Sequence, residues 1–212
     1  PWDKPDPEQE ILKVFMAKRS SRYTEQGDPV DAKTLTDITE CMDMEKRLLT
    51  LDVEDGAWSI FILYLTRKGG EEATKDYLNP LVKEATQILI DEVYEPHYKH
   101  YKEMFGTLIE GFFSDEPRFG NMKGTEARIG SDMVLPWRAG LEKELGFDAK
   151  YLPLLWVNAN GAEAEIRYQY MDLITKLYRD NFTNVLSDWC HAHGVMYLGH
   201  TIEDNGAHAR LG

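Results

Sequence analysis

Residues 108–120 read LIEGFFSDEPRFG. An apolar run, Leu108 to Phe113, breaks into Ser114-Asp115-Glu116-Pro117. Proline lacks an amide hydrogen and has a fixed φ, so it stops a strand rather than extending it. The stretch therefore reads as a buried strand that carries two carboxylates to its C-terminal end. Buried carboxylates are costly unless something binds or uses them.

Upstream of this strand, Asn79-Pro80 reads as a helix N-cap with proline at the first helical position. Leu81, Ala85, Ile88, Leu89 and Glu92 follow at helical spacing, and all but the last are apolar. Pro96 is expected to end or kink that helix, a second amphipathic stretch runs to Phe105, and Gly106 closes it. Earlier still, Ile11 to Ala17 (ILKVFMA) reads as a strand and Ser20 to Asp31 as a loop. Leu48 to Val53, the turn Glu54-Asp55-Gly56, and Ala57 to Thr66 predict a β-hairpin. Its second arm, IFILYLT, is apolar on both faces, as in a strand of a parallel sheet covered on both sides.

Downstream, a polar Gly-rich loop (Gly120 to Ser131) precedes Pro136-Trp137, which is expected to open a helix through Leu145, with Gly146 as its stop. A longer helical stripe follows: Ile166, Tyr170, Leu173, Ile174, Leu177, Phe182, Val185, Leu186 and Trp189. Gly194 ends it, and Val195 to Gly199 (VMYLG) reads as a short strand. Strands and helices thus alternate, which predicts an α/β fold with a parallel sheet and right-handed crossovers. The chain stops at Gly212, in a loop just after a strand. The expectation is an incomplete fragment of a (β/α)8 TIM-type barrel. It forms one domain over residues 1–212, truncated at one or both ends, with the hairpin at about 48–66.

Composition narrows the partners. The chain has 212 residues, 42% hydrophobic and 11% aromatic, which suits one folded core. Its 24 basic and 37 acidic residues leave a net charge of −13. That argues against nucleic acid, which needs clustered Lys and Arg, and against an anionic membrane surface. A neutral substrate is compatible with it. No apolar run approaches the ~20 residues that span a bilayer. The chain starts at Pro1 without Met, which reads as a removed leading segment or an excised piece. Cys41 and Cys190 lie in no metal-ligand spacing and read as free, buried thiols.

The candidate site is built from two strand ends, Ser114-Asp115-Glu116-Pro117-Arg118 and Gly199-His200-Thr201-Ile202-Glu203-Asp204-Asn205. In an α/β barrel, chemistry is done at the C-terminal edge of the strands. Two carboxylates facing one another there are what glycosidic cleavage requires, one protonated to serve the leaving oxygen and one ionised to activate water or attack carbon. Side chains alternate along a strand, so Asp115 and Glu116 point to opposite faces. Glu116 is assigned to the pocket, and Asp115 to the backbone or Arg118. The competing reading has Asp115-Glu116-Pro117 capping the next segment, with Arg118 neutralising it. His200 is a candidate to bind a sugar hydroxyl or orient a carboxylate, and is otherwise a satisfied structural group. Trp137 and Trp156 are candidate platforms for a sugar ring, with core packing favoured for Trp156 and assigned to Trp189. A metal held by oxygens of Asp115, Asp204 or Asn205 is an open alternative that no EF-hand spacing supports, so no metal ligand is assigned. His97, His100, His191 and His193 match no ligand set. The substrate-binding candidates are thus Asp115, Arg118, Trp137, His200 and Asp204. Marker motifs of nucleophile elbows, P-loops, zincins and dinucleotide sites are absent.

The stretches GFFSDEPRF, LPWRAGLEKELGFDAKYLPLLW and RYQYMDLITKLYRDNFTNVLSDWCHAHGVMYLGH resemble the catalytic barrel of glycoside hydrolase family 106, the α-L-rhamnosidases. LTLDVEDGAWSIFIL resembles the hairpin of such proteins, and VYEPHYKHYKEMFG the helix before the acidic strand. The likeness runs from about Ala17 to Asp204. It implies a (β/α)8 barrel and an exo-acting, inverting glycosidase with Glu116 as general acid and Glu203 as general base. It also implies a carbohydrate substrate and a periplasmic or extracellular location. No cofactor is required, although calcium helps hold the sugar in some members. Ser114 stands where Thr is more usual, and the family's barrel and flanking β domains extend beyond this chain. Two other readings stand beside it. One is a non-catalytic sugar-binding or scaffolding barrel fragment that self-associates through exposed sheet edges. The other is a different enzyme on a similar barrel.

Overall fold

The computed structural model describes residues 9–20, 29–67, 76–115, 117, 129 and 134–200. The apolar run ILKVFMA forms β1 (Glu10–Lys18), and its period of two sends side chains into two different cores. Phe15 and Ala17 point into one core, Val14 and Met16 into the other. This burial on both faces is why the run carries so few polar residues. β1 is the middle strand of an antiparallel sheet between β2 (Thr36–Asp37) and β5 (Trp58–Leu65). Phe15 lies opposite Phe61 and Val14 opposite Ile62, and a bulge between Ile11 and Lys13 shifts the register.

The first core is closed by Leu152, Leu154 and Leu155 of a 3₁₀ stretch (Ala149–Leu155) and by Ile166, Tyr170 and Ile174 of α3 (Ala162–Tyr178). Each such side chain, fully buried, contributes roughly 1.5–3 kcal/mol. Tyr170 is fully enclosed, but its hydroxyl donates to the Pro136 carbonyl at 2.5 Å, so no polar group is stranded. Burial pushes its phenol pKa far up. On the opposite side of the sheet, Ile38 and Met42 cover Val14 and Met16. Met42 belongs to β3 (Met42–Asp43), which pairs antiparallel with β4 (Leu48–Leu49).

The second unit is a strand, a long helical crossover and a strand. α1 (Lys83–Leu89) runs through a wide, π-helical turn (Ile90–Tyr94) into α2 (Glu95–Tyr101). The wide turn closes when the Glu95 N–H donates to the Ile90 carbonyl, immediately before Pro96, which has no N–H to give. The helix therefore continues past the proline. Gly106 adopts a left-handed φ of 73°, and β6 (Gly111–Asp115) follows. α3 likewise passes through a π turn (Arg179–Thr183) into α4 (Asn184–Ala192), and β7 (Met196–His200) comes after Gly194, φ 71°. β6 and β7 pair in parallel, from Gly111 opposite Met196 to Asp115 opposite His200. Phe112 and Tyr197 pack toward the helices, against Ile90, Tyr94, Phe182, Leu186, Cys190 and Val195.

Several sequence expectations are corrected here. The described strands form three small sheets, of which only β6–β7 is parallel, and none closes, so the fold is not a (β/α)8 TIM-type barrel or a recognisable arc of one. The run IFILYLT is apolar on both faces because the sheet is covered on both sides, yet its partner β1 runs antiparallel. Burial on two faces does not specify strand direction. No hairpin forms over 48–66: Leu48-Leu49 pairs with Met42-Asp43, and β5 pairs with β1. The turn between them is held instead by Lys18, which binds Glu54 at 3.0 Å and lies 5.2 Å from the centre of the Trp58 ring. The helix expected from Pro136 to Leu145 is reduced to one 3₁₀ turn (Leu141–Lys143), because Gly140 takes a left-handed φ of 80°. The strand expected from Leu108 begins at Gly111, with Leu108 exposed in a turn. Cys41 is exposed, whereas Cys190 is buried. Among the described residues, no helix is long and apolar enough to cross a membrane.

Candidate functional site

The register of β6 and β7 brings their last residues side by side. Asp115 is opposite His200, with Oδ1 to Nδ1 at 3.5 Å. The two strands approach closely, and glycines sit where they do. A Cβ on Gly111 would meet the Met196 carbonyl oxygen, and one on Gly199 would meet that of Ser114. Gly199 therefore helps set the spacing of the pair one residue later.

Alternation along the strands separates two faces. One face is the packed side already described. There Tyr94 stacks on Phe112 with ring centres 4.2 Å apart, and Trp189 meets the same ring edge-on at 5.7 Å. Tyr197 is on this side too. Burial raises its phenol pKa, against the opposing effect of a hydrogen bond with Ser114. The other face carries Phe113, Asp115, Met196, Leu198 and His200, all open to solvent. His200 stands edge-on to Phe113, ring centres 5.2 Å apart. The Asp115 and His200 side chains are 73% and 52% exposed, so their attraction is screened and contributes about 0–1 kcal/mol to stability.

Of the residues singled out from sequence, the structure brings together Asp115 and His200. Trp137 is half-buried against the core around Tyr170, and its backbone carbonyl accepts from Asn79 Nδ2 at 2.8 Å. Trp156 packs against that same core. Trp189 packs in the second core, with its indole N–H donating to Glu95 at 2.7 Å. Glu116, Arg118, Glu203 and Asp204 lie outside the described residues. Burial pushes the Cys190 thiol up to about 11, which leaves it protonated and unreactive near neutrality. Among the described residues, no group of three or more His, Cys, Asp or Glu side chains is placed to hold a metal ion. At the strand ends they offer one carboxylate, Asp115, against the six to eight oxygens that calcium takes.

The reading of the sequence passed over Phe113. The signal was present, because of two adjacent phenylalanines on a strand only one can face the helices. With Phe112 packed, Phe113 is necessarily on the Asp115 face. The resulting edge holds an acceptor, an imidazole that can donate or accept, and an apolar ring. In comparisons with known proteins, no family model, curated protein or solved structure matches the chain.

Proposed function

We propose that the chain is a glycoside hydrolase that cleaves a terminal sugar with inversion, with Glu116 as general acid and Glu203 as general base. One observation carries this reading: β6 and β7 are neighbours, run the same way and end level, Asp115 opposite His200. Glu116 follows Asp115 directly in the chain, and Glu203 follows His200 by three residues. An extended chain covers at most ~3.6 Å per residue, so connectivity tethers Glu203 within about 11 Å of His200. An inverting pair needs carboxyls about 6.5–9.5 Å apart.

In the reaction, Glu116 gives its proton to the glycosidic oxygen as the bond from that oxygen to the anomeric carbon breaks. Glu203 takes a proton from the water whose oxygen attacks the opposite face of that carbon. The released sugar therefore has inverted configuration. The test is hydrolysis of a panel of aryl glycosides, α-L-rhamnoside first, by the full-length parent protein. Glu116→Gln and Glu203→Gln should each lower kcat by roughly 10²–10⁴-fold. Glu116→Gln should lose less on a dinitrophenyl glycoside, whose leaving group needs no proton, while Glu203→Gln should be impaired on every substrate. Undiminished turnover in either variant removes that residue's role.

A second reading is a sugar-binding scaffold without turnover, favoured by the exposed Phe113, Met196 and Leu198. It expects heat on titration with monosaccharides, no product release, and concentration-dependent self-association in sedimentation.

A further inference from the structure

We propose that Phe113 is the platform on which the sugar ring rests, with Asp115 and His200 binding hydroxyls at its rim, and that the ligand is a neutral pyranoside. The inference rests on the hydrolase reading and adds the face of the sugar that the site takes. Among the described residues, packing does not account for Phe113. The neighbouring Phe112 already fills the position against the helices, where it stacks on Tyr94. Phe113 stays 58% exposed in mid-strand, and Leu198, directly opposite in the parallel register, is 50% exposed. Together they make an apolar floor whose aromatic neighbour among the described residues is His200, its ring roughly perpendicular to that of Phe113.

Along the described strands the floor becomes polar toward the C-terminal edge. Asp115 is two residues beyond Phe113 on the same face, and His200 is two beyond Leu198. Two residues of strand advance about 6.6 Å, close to the width of one pyranose ring. A pyranose matches that gradient. Its C–H face covers an aromatic surface and its hydroxyls project from the ring edge toward a carboxylate and an imidazole. The charge pattern selects among sugars. Asp115 is an acceptor-only carboxylate in a chain of net charge −13, so it takes hydroxyl donors and repels a uronate. An unmodified protein surface covering the same floor would need apolar contact but no ring and no hydroxyls.

The experiment compares Phe113→Ala, Phe113→Leu and Phe113→Tyr in the full-length parent. It measures KM on whichever neutral aryl glycoside is turned over, and Kd for the matching monosaccharide by calorimetry. The side chain is exposed, so folding is checked by circular dichroism and is expected to be intact. The Ala and Leu variants should raise Kd and KM by about tenfold, and Tyr should stay within about twofold of wild type. The corresponding uronide should bind at least tenfold more weakly to wild type. Unchanged binding in Phe113→Ala, or rescue by Leu equal to that by Tyr, overturns the platform. If Glu116→Gln is inactive while Phe113→Ala binds normally, the platform fails and the hydrolase reading stands. If wild type binds sugar through Phe113 but hydrolyses no glycoside, the hydrolase reading fails and the platform stands. A wild-type protein that does neither overturns both.

Discussion

Glu163 shows how much a single side chain does at a helix start. Its Oε2 accepts from the N–H groups of Ala159 at 2.8 Å and Gly161 at 2.9 Å, one in the turn before α3 and one at its N-cap. Asn160 and Gly161 are both at positive φ, so the turn that aims these donors is sharp. Burial alone would raise the Glu163 pKa, but the backbone hydrogen bonds outweigh it and hold the carboxyl below its ordinary value. A lowered folded pKa means that the stabilisation is complete above the unfolded value, near 4.3, and is lost as the pH falls through the folded one. Glu163→Ala should therefore cost about 1 kcal/mol at pH 7 in urea unfolding, and the gap to wild type should narrow as the pH falls below the unfolded value. A gap that stays constant down to pH 3 would show that the charge is irrelevant. The bond reaches backward from the first turn, so hydrophobic periodicity, which becomes visible at Ile166, carries no trace of it.

At the scale of elements, Asn79 performs a neighbouring task to the one its sequence context implies. Its Oδ1 accepts from Leu81 N–H at 3.0 Å, as a cap would. The helix itself begins later, at Lys83, and Val82 at its N-cap makes no side-chain bond. Asn79 also donates to the Trp137 carbonyl at 2.8 Å, so it joins the entrance of α1 to the segment before the 3₁₀ turn. Asn79→Ala should lower stability by about 1–2 kcal/mol in thermal unfolding, while Asn79→Asp, which keeps the acceptor, should lose about half as much. Equal losses in both would mean that the cap contributes nothing. The same scale explains the misread elements. Pro96 did not break its helix because a π turn had already moved the hydrogen bonds out of step. Asp55-Gly56 forms a bend rather than the tight positive-φ turn it suggests, and a bend says nothing about which strand each arm will meet. Gly140 interrupts a stretch whose periodicity was helical, because its left-handed φ was invisible in the pattern.

For the molecule as a whole, two cores share one helical system. Tyr178, at the end of α3, packs against both the core under β1 and the one under β6–β7. Phe182, one turn further on, is 1% exposed at the centre of the second core. Phe182→Ala should cost about 3–5 kcal/mol, with hydrogen-exchange protection lost first in β6 and β7 and later in β1. Equal loss in all three strands would mean that the cores unfold as one unit. Such a result would also show that the Asp115–His200 edge is no weaker than the rest.

The sequence by itself determined the local elements: a strand at Ile11 to Ala17, a long interrupted helix through Ile166 to Trp189, and a short strand after Gly194. It also singled out two chain segments ending in acids, on which the proposed chemistry rests. Those signals are carried by residues within a few positions of one another, which is the range over which period and turn chemistry act. Tertiary structure alone decided that β5 meets β1 antiparallel, that the described strands close no barrel, and that Asp115 faces His200 beside an exposed Phe113. Strand direction and register depend on residues distant in the chain, Val14 opposite Ile62 and Gly111 opposite Met196, and an apolar strand buries its two faces equally well whichever way its neighbour runs.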